Sequence, residues 1–275
     1  MLYQTFVPSS QLSAAVRHFW VAEANAPFTT IGQRTVPRAC PLLVIFETAP
    51  PQISLSSKKI VALPNAVLLL PRNNNTLTLP QEGGVKATGV ELTPHGCIQL
   101  LGIDVTKNSS CFIDMEAYMG NCFTQLQEQI YAEELPVRKV EILSNFLINN
   151  QHIHTPAKNL SARTQEALHY ILEQAGRMDV SEVAETCCTT LRNLQRDFKK
   201  AIGLSPKQFI SLVRFNNAFR MMVKQPHQSL ESISYECGYY DPSHLIKDFR
   251  KFMGVVPSHL KAKERKKIDL VMGMA

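Results

Sequence analysis

Long apolar runs are missing from this 275-residue sequence. The longest, PLLVIF and AVLLLP, fall far short of the roughly 20 residues that a membrane-spanning helix needs, and they read as buried strands. No N-terminal segment joins a basic start to an extended apolar stretch, so no secretory signal is expected. The seven cysteines (Cys40, Cys97, Cys111, Cys122, Cys187, Cys188 and Cys237) include no C-x-x-C pair and no Cys/His cluster with zinc spacing. A scattered, odd set of this kind reads as reduced thiols in a soluble, cytoplasmic protein. His18 and His95 are isolated, and His152 and His154 lie in a polar stretch. No metal, no cofactor and no catalytic residue is therefore assigned, and a non-enzyme is expected.

Apolar residues are plentiful: a 45% hydrophobic content supports packed cores and argues against disorder. The length exceeds the usual single domain, so two are expected. Charge divides along the chain. Residues 1–160 hold eleven basic and eleven acidic residues, whereas residues 161–275 hold eighteen and twelve, so the whole excess of +6 lies in the C-terminal part. A neutral part joined to a basic part suggests one domain that meets a polyanion and one that does not.

The two parts also differ in pattern. Up to about residue 115, short β-rich runs such as CPLLVIFE, KKIVALP, AVLLLP, NTLTLP and VKATGVELTP alternate with Pro, Gly and Asn, which predicts an antiparallel sandwich or small barrel. From residue 121 the period becomes helical, with Pro136 separating two helices. QHIHTPAKN is polar and aperiodic and reads as a linker. The expected organisation is 1–150 for a β-rich domain with following helices, 151–160 for the linker, 161–267 for an all-helical domain and 268–275 for a tail.

The basic part contains an internal repeat. TLRNLQRDFKKAIGLSP (190–206) aligns with DPSHLIKDFRKFMGVVP (241–257) at an offset of 51. Upstream, VSEVAETCC aligns with LESISYECG at an offset of 50, the extra residue falling in GYY. Two units of this size suggest a duplicated helix-turn-helix. Thr190 and Asp241 suit N-caps, Pro242 suits a first helical position, and Gly238 suits a left-handed helix end. Cys188 stands at the equivalent of Gly238 and must either adopt the left-handed conformation at some cost or reshape the turn.

In the longer helix of each unit, Leu194, Phe198 and Ile202, and then Leu245, Phe249 and Phe252, form core-facing stripes. The opposite faces carry Arg192, Gln195, Arg196 and Lys199 in one unit and Ser243, His244, Lys247, Arg250 and Lys251 in the other. A solvated charged face would look similar in either helix alone. Two features favour DNA: the Arg and Gln side chains match guanine and adenine edges, and the face follows a helix-turn twice over.

The stretches SPKQFISLVRFNNA and SLESISYECGYYDPSHLIKDFRKFMGVVPSHL, with the repeat before them, resemble the AraC family of bacterial transcription regulators over about residues 161–267. The resemblance implies a seven-helix domain in which a long helix, about 206–224, joins two helix-turn-helix units that enter successive major grooves, about 34 Å apart. It implies base reading by Arg192, Gln195, Arg196, Ser243, His244 and Lys247. Phosphate contact falls to Thr190, Lys199, Lys200, Arg250 and Lys251. Its partners would be double-stranded DNA and RNA polymerase, and activation is the family's commoner mode.

FVPSSQLSAAVRHFWVAE, VPRACPLLVIFE and GVELTPHGCIQLLGI resemble a cupin-related sensing domain, which implies a jelly-roll-like β-domain with helices that mediate dimerisation. Phe123, Leu126, Ile130, Val140, Leu143, Phe146 and Leu147 could form a homodimer seam within 121–150 or pack on their own β-domain. Trp20, Arg38 and Phe46 are candidates for contact with a small-molecule effector; for Trp20 and Phe46, core packing explains the sequence as well. Two other classes stay open: a DNA-repair alkyl acceptor fused to a DNA-binding domain, and a regulator controlled only by protein partners.

Overall fold

The computed structural model describes residues 2–24, 38–48, 50, 52–54, 60–71, 76–78, 85–94, 96–103, 112–150 and 161–259. The linker expected at 151–160 and the tail at 268–275 lie outside the described residues. The chain divides into two compact units, one carried mainly by residues 1–159 and one mainly by residues 160–275.

The first unit is β-rich. Strands β1 (Leu2–Phe6), β2 (Val16–Ala24), β3 (Leu42–Phe46), β6 (Ala66–Leu69), β8 (Val85–Leu92) and β9 (Phe112–Asp114) form an antiparallel sheet in the order β1-β2-β8-β3-β6-β9. Strands β4 (Gln52–Ser54), β5 (Ile60–Ala62) and β7 (Thr76–Thr78) form a second sheet in the order β5-β4-β7. The chain thus leaves the larger sheet after β3, returns for β6, leaves for β7 and returns for β8. This interleaving of two sheets is the connectivity of a jelly roll, as the sequence suggests.

Because strand side chains alternate, the larger sheet has two apolar faces. Phe19, Val21, Leu43, Ile45, Leu68 and Val90 join a core with helices α1 (Gly96–Leu101), α3 (Asn121–Ala132) and α4 (Pro136–Asn150), a short α2 (Met115–Met119) preceding α3. Trp20, Ala22, Val44, Phe46, Val67 and Ala87 form the other face. Gly89 pairs with Trp20 across β2 and β8, and a Cβ there would lie 2.4 Å from the indole, so the bare backbone is what lets the ring lie flat.

All seven apolar positions of α3 and α4 belong to this unit's own core, Phe146 at its margin. Of the two alternatives open for them, packing on their own sheet is what the fold uses. A polar latch holds α4 in place: fully buried Lys139 pairs with Glu47 just after β3, and Glu47 also accepts from the Thr88 hydroxyl at 3.0 Å. Tyr131 on α3 donates to the Phe46 carbonyl at 2.9 Å.

The second unit is helical: α5 (Ala162–Glu173), α6 (Val180–Thr186), α7 (Leu191–Ile202), α8 (Pro206–Lys224), α9 (Leu230–Glu236), α10 (Pro242–Met253) and a 3-10 turn (Pro257–His259). The long helix spans the segment expected for it. Ser205 and Gln208 cap its start reciprocally and Pro206 fills its first position. Six α-helices are described; whatever follows residue 259 lies outside the described residues.

Candidate nucleic-acid interface

Two structurally matched turns set up the interface. In the first, the amides of Cys187, Cys188 and Thr189 donate to the carbonyls of Val183, Glu185 and Ala184 at 3.1, 3.0 and 2.8 Å. In the second, Cys237, Gly238 and Tyr239 donate to Ile233, Tyr235 and Ser234 at 3.0, 3.0 and 2.9 Å. Every partner is displaced by 50 residues, so the sequence repeat is a repeat of hydrogen bonds. Cys188 takes the left-handed conformation, φ 46°, where Gly238 has φ 76°. Of the two outcomes open to Cys188, the fold accepts the strained backbone and keeps the turn.

Each turn then delivers a capped helix. The Thr190 hydroxyl oxygen accepts the Asn193 amide at 3.2 Å, and Asp241 accepts the His244 amide at 2.9 Å. That backbone bond, with the nearby imidazole, holds the Asp241 carboxyl below the ordinary aspartate range. The two helices stop alike, at left-handed Gly203 (φ 70°) and Gly254 (φ 68°).

Packing decides which face points outward. Leu194, Phe198 and Ile202 on α7 and Leu245, Phe249 and Phe252 on α10 are buried. The α8 helix receives both sets: Phe209 meets Phe198 edge-on at 6.0 Å, and Phe215 meets Phe249 at 5.0 Å and Phe252 at 4.8 Å. With these stripes held inward, Arg192, Gln195, Arg196, Ser243, His244 and Lys247 are all exposed. So are Thr190, Lys199, Lys200, Arg250 and Lys251. Two of the outward residues are pre-oriented: Arg196 Nε lies 3.0 Å from Asp197, and His244 Nδ1 lies 3.2 Å from Asp241.

A polar node missed by periodicity ties the two helix-turn-helix units together. Arg214 of α8 donates to the carbonyls of Gly176 (2.7 Å) and Met178 (2.9 Å), ahead of α6. Its guanidinium also lies 5.6 Å from the ring centre of Tyr239, in the turn before α10. Tyr239 and Ser211 then donate to Asp248 at 3.2 and 3.1 Å. Burial pushes the Asp248 carboxyl and the Tyr239 phenol upward. Gly176 is part of the same join, since a Cβ there would stand 2.7 Å from the Arg214 amide. Arg214 carries no sequence signal of this role, because its acceptors are main-chain carbonyls.

The expected effector contacts are less concentrated. Trp20 and Phe46 are buried on one sheet face, Tyr3 stacking on Trp20 at 6.0 Å, and Arg38 is half-buried ahead of β3. Among the described residues no cluster of three His, Cys, Asp or Glu could hold a metal, and no helix is long and apolar enough to cross a membrane. Burial pushes the thiols of Cys97 to about 12 and Cys237 to about 11 and also raises Cys187, away from the thiolate that a nucleophile needs.

Comparison with known proteins agrees with this geometry. Residues 183–263 match the family described as a helix-turn-helix domain, and residues 4–110 match a domain of unknown function, DUF6597. An HTH-type transcriptional regulator of Haemophilus influenzae is 31% identical over 130 residues, 43% of each chain. The HTH-type transcriptional activator RhaS of Klebsiella pneumoniae is 28% identical over 106 residues, 38% of each chain. These matches span less than half the length of those relatives. Unsaturated fatty acid-bound ToxT of Vibrio cholerae has the same fold, with a TM-score of 0.50 at 11% identity over 92% of this chain and 95% of its own. An apo ToxT variant gives a TM-score of 0.51 at 12% identity, over 87% and 95%.

Proposed function

We propose that the chain is an AraC-type DNA-binding transcription regulator that reads two major-groove segments through α7 and α10, a reading supported by the match of residues 183–263 to a helix-turn-helix family. The carrying observation is the pair of exposed polar and basic faces, each presented by the same capped turn. Arg192, Gln195 and Arg196 read bases in one segment and Ser243, His244 and Lys247 in the other; Thr190, Lys199, Lys200, Arg250 and Lys251 meet phosphates. Thr190 can do so while capping α7, since its oxygen accepts the Asn193 amide and its hydrogen stays available to a phosphate.

The first unit senses an effector, with Trp20 and Phe46 as its candidate contacts, and Arg38, in a segment that groups with the second unit, is a third candidate. Activation through RNA polymerase in the cytoplasm is the mode proposed, and no catalytic step is assigned. A homodimer through α3 and α4 belongs to the same reading. It uses outward side chains such as Leu135 (59% exposed) and Val137 (49% exposed), since the apolar stripes pack on the sheet.

Selection of bound fragments from genomic DNA tests the reading. The expected product is a duplex with two preferred segments one helical turn apart, about 10 base pairs; recovery of unselected sequence would defeat it. Calorimetry of the full chain with an unsaturated fatty acid, the ligand class in the ToxT structure, gives a first probe of the sensing unit. The alkyl-acceptor alternative has one favourable observation: Arg17 Nη1 lies 3.6 Å from the Cys40 sulfur. Stoichiometric zinc with a hyper-reactive Cys40 would support that enzyme; ordinary thiol reactivity excludes it.

A further inference from the structure

A cleft of about 670 Å³ opens in the second unit between the start of α6, the first half of α8 and the start of α10. Its walls include His244 and Lys247 from the outward face of α10, so it opens on the side that α10 presents to DNA. Facing them are Ser181 on α6 and exposed Lys207 on α8. Both acids in the wall already accept bonds from the protein: Asp179 from the Glu182 amide at 2.9 Å, and Asp248 from Tyr239 and Ser211.

The rim carries Tyr240, which is 86% exposed and meets His244 edge-on at 6.2 Å. Tyr240 is also the residue at which the two repeats fall out of step. The offset is 50 up to the turn bond of Tyr239 and 51 from the cap at Asp241 onward. The inserted residue is therefore a large side chain, held in solvent beside a basic cleft.

We propose that this cleft seats a phosphate of the DNA backbone running between the two major-groove segments, with the Lys207 ammonium supplying the charge and the Tyr240 hydroxyl a hydrogen bond. The site rests on the DNA-binding reading and borders the outward face of α10, but Lys207 and Tyr240 themselves lie on neither α7 nor α10. Lys207 belongs to α8 and to neither α7 nor α10, so it adds affinity without reading sequence.

Salt titration of the full-length chain on a mixed-sequence duplex tests this. Lys207→Gln should weaken binding several-fold at low salt and reduce the slope of log K against log salt by about 0.9, one phosphate contact. Lys207→Arg should restore the slope, and Tyr240→Phe should lose affinity equally on selected and mixed duplexes. Lys224→Gln, at the exposed far end of the same helix, is the reference. Amine-reactive labelling identifies the source of the phosphate. Protection of Lys207 by duplex, but not by inorganic phosphate at the same phosphate concentration, is expected. If wild type binds with salt dependence and Lys207→Gln keeps the full slope, as Lys224→Gln should, the cleft assignment fails and the DNA-binding reading stands. If wild type binds no duplex, both fail.

Discussion

Arg196 and Lys200 are one turn apart on α7, and both are exposed, yet the roles proposed for them differ. Arg196 sits on the outward stripe with its guanidinium steered by Asp197; Lys200 is in the last turn. Arg196→Ala should cost about 1–3 kcal/mol of binding and relax preference at one base position. Lys200→Ala should weaken binding to all sequences alike. Band-shift titrations on selected and scrambled duplexes separate the two, and equal losses on both for Arg196→Ala would remove it from base reading. Cys188 tests the backbone instead. Its left-handed φ of 46° is one that glycine takes freely, so Cys188→Gly should raise stability by about 1 kcal/mol, read as a higher urea midpoint with an unchanged slope. Asp241 adds a pH dependence. A carboxyl held below its ordinary range stabilises the fold while ionised. That contribution is in place above the usual aspartate value of about 4 and is lost as pH falls through the lowered one. The melting difference between wild type and Asp241→Asn, which keeps a capping oxygen, should therefore shrink on acidification below that range.

At the scale of elements, the latch between α4 and β3 gives the sharpest stability test. Lys139 is fully buried and its partner Glu47 nearly so. Glu47 has a second cation, Lys86, at 3.5 Å, but removing Glu47 strands the buried Lys139 charge, so Glu47→Ala should cost about 3–5 kcal/mol. Replacing both residues with Met should cost much less, and chemical denaturation of the single and double variants measures the difference. This latch is illegible in the sequence, where Lys139 reads as one more helical surface charge and nothing marks Glu47, 92 residues earlier, as its partner. The three-residue strands β4, β5 and β7 are too short for periodicity to bound. By contrast, β3 and β6 are legible as compact apolar runs, and α7 and α10 as apolar stripes behind the caps Thr190 and Asp241, because those signals are local. The outward residues of α7 and α10 could be picked out for the same reason: the core stripe fixes which face is left for solvent. Arg214 could not, since main-chain acceptors leave no trace in residue type. Tyr240 was visible only as a surplus letter in GYY; its exposure needed the fold.

Across the whole molecule, the first unit's helices are committed to its own sheet and the second unit's two longer helices to α8. Matching hydrogen bonds, shifted by 50 residues, hold both of those helices at their turns, and equivalent glycines close them. Their inner residues are not equivalent throughout: Ala201 occupies the place that Phe252 fills in the other copy, and Phe252 is wedged against Phe215. Whole helices are therefore poor cassettes, whereas the outer side chains are good ones. Trading Arg192, Asn193 and Arg196 for Ser243, His244 and Lys247, in both directions at once, leaves every core contact and net charge untouched. The expected result is a chain of native stability whose selected duplex changes in both segments at the bases these side chains read, while the base read by Gln195 stays. The duplication would then make this protein a reader whose spelling can be edited from the surface.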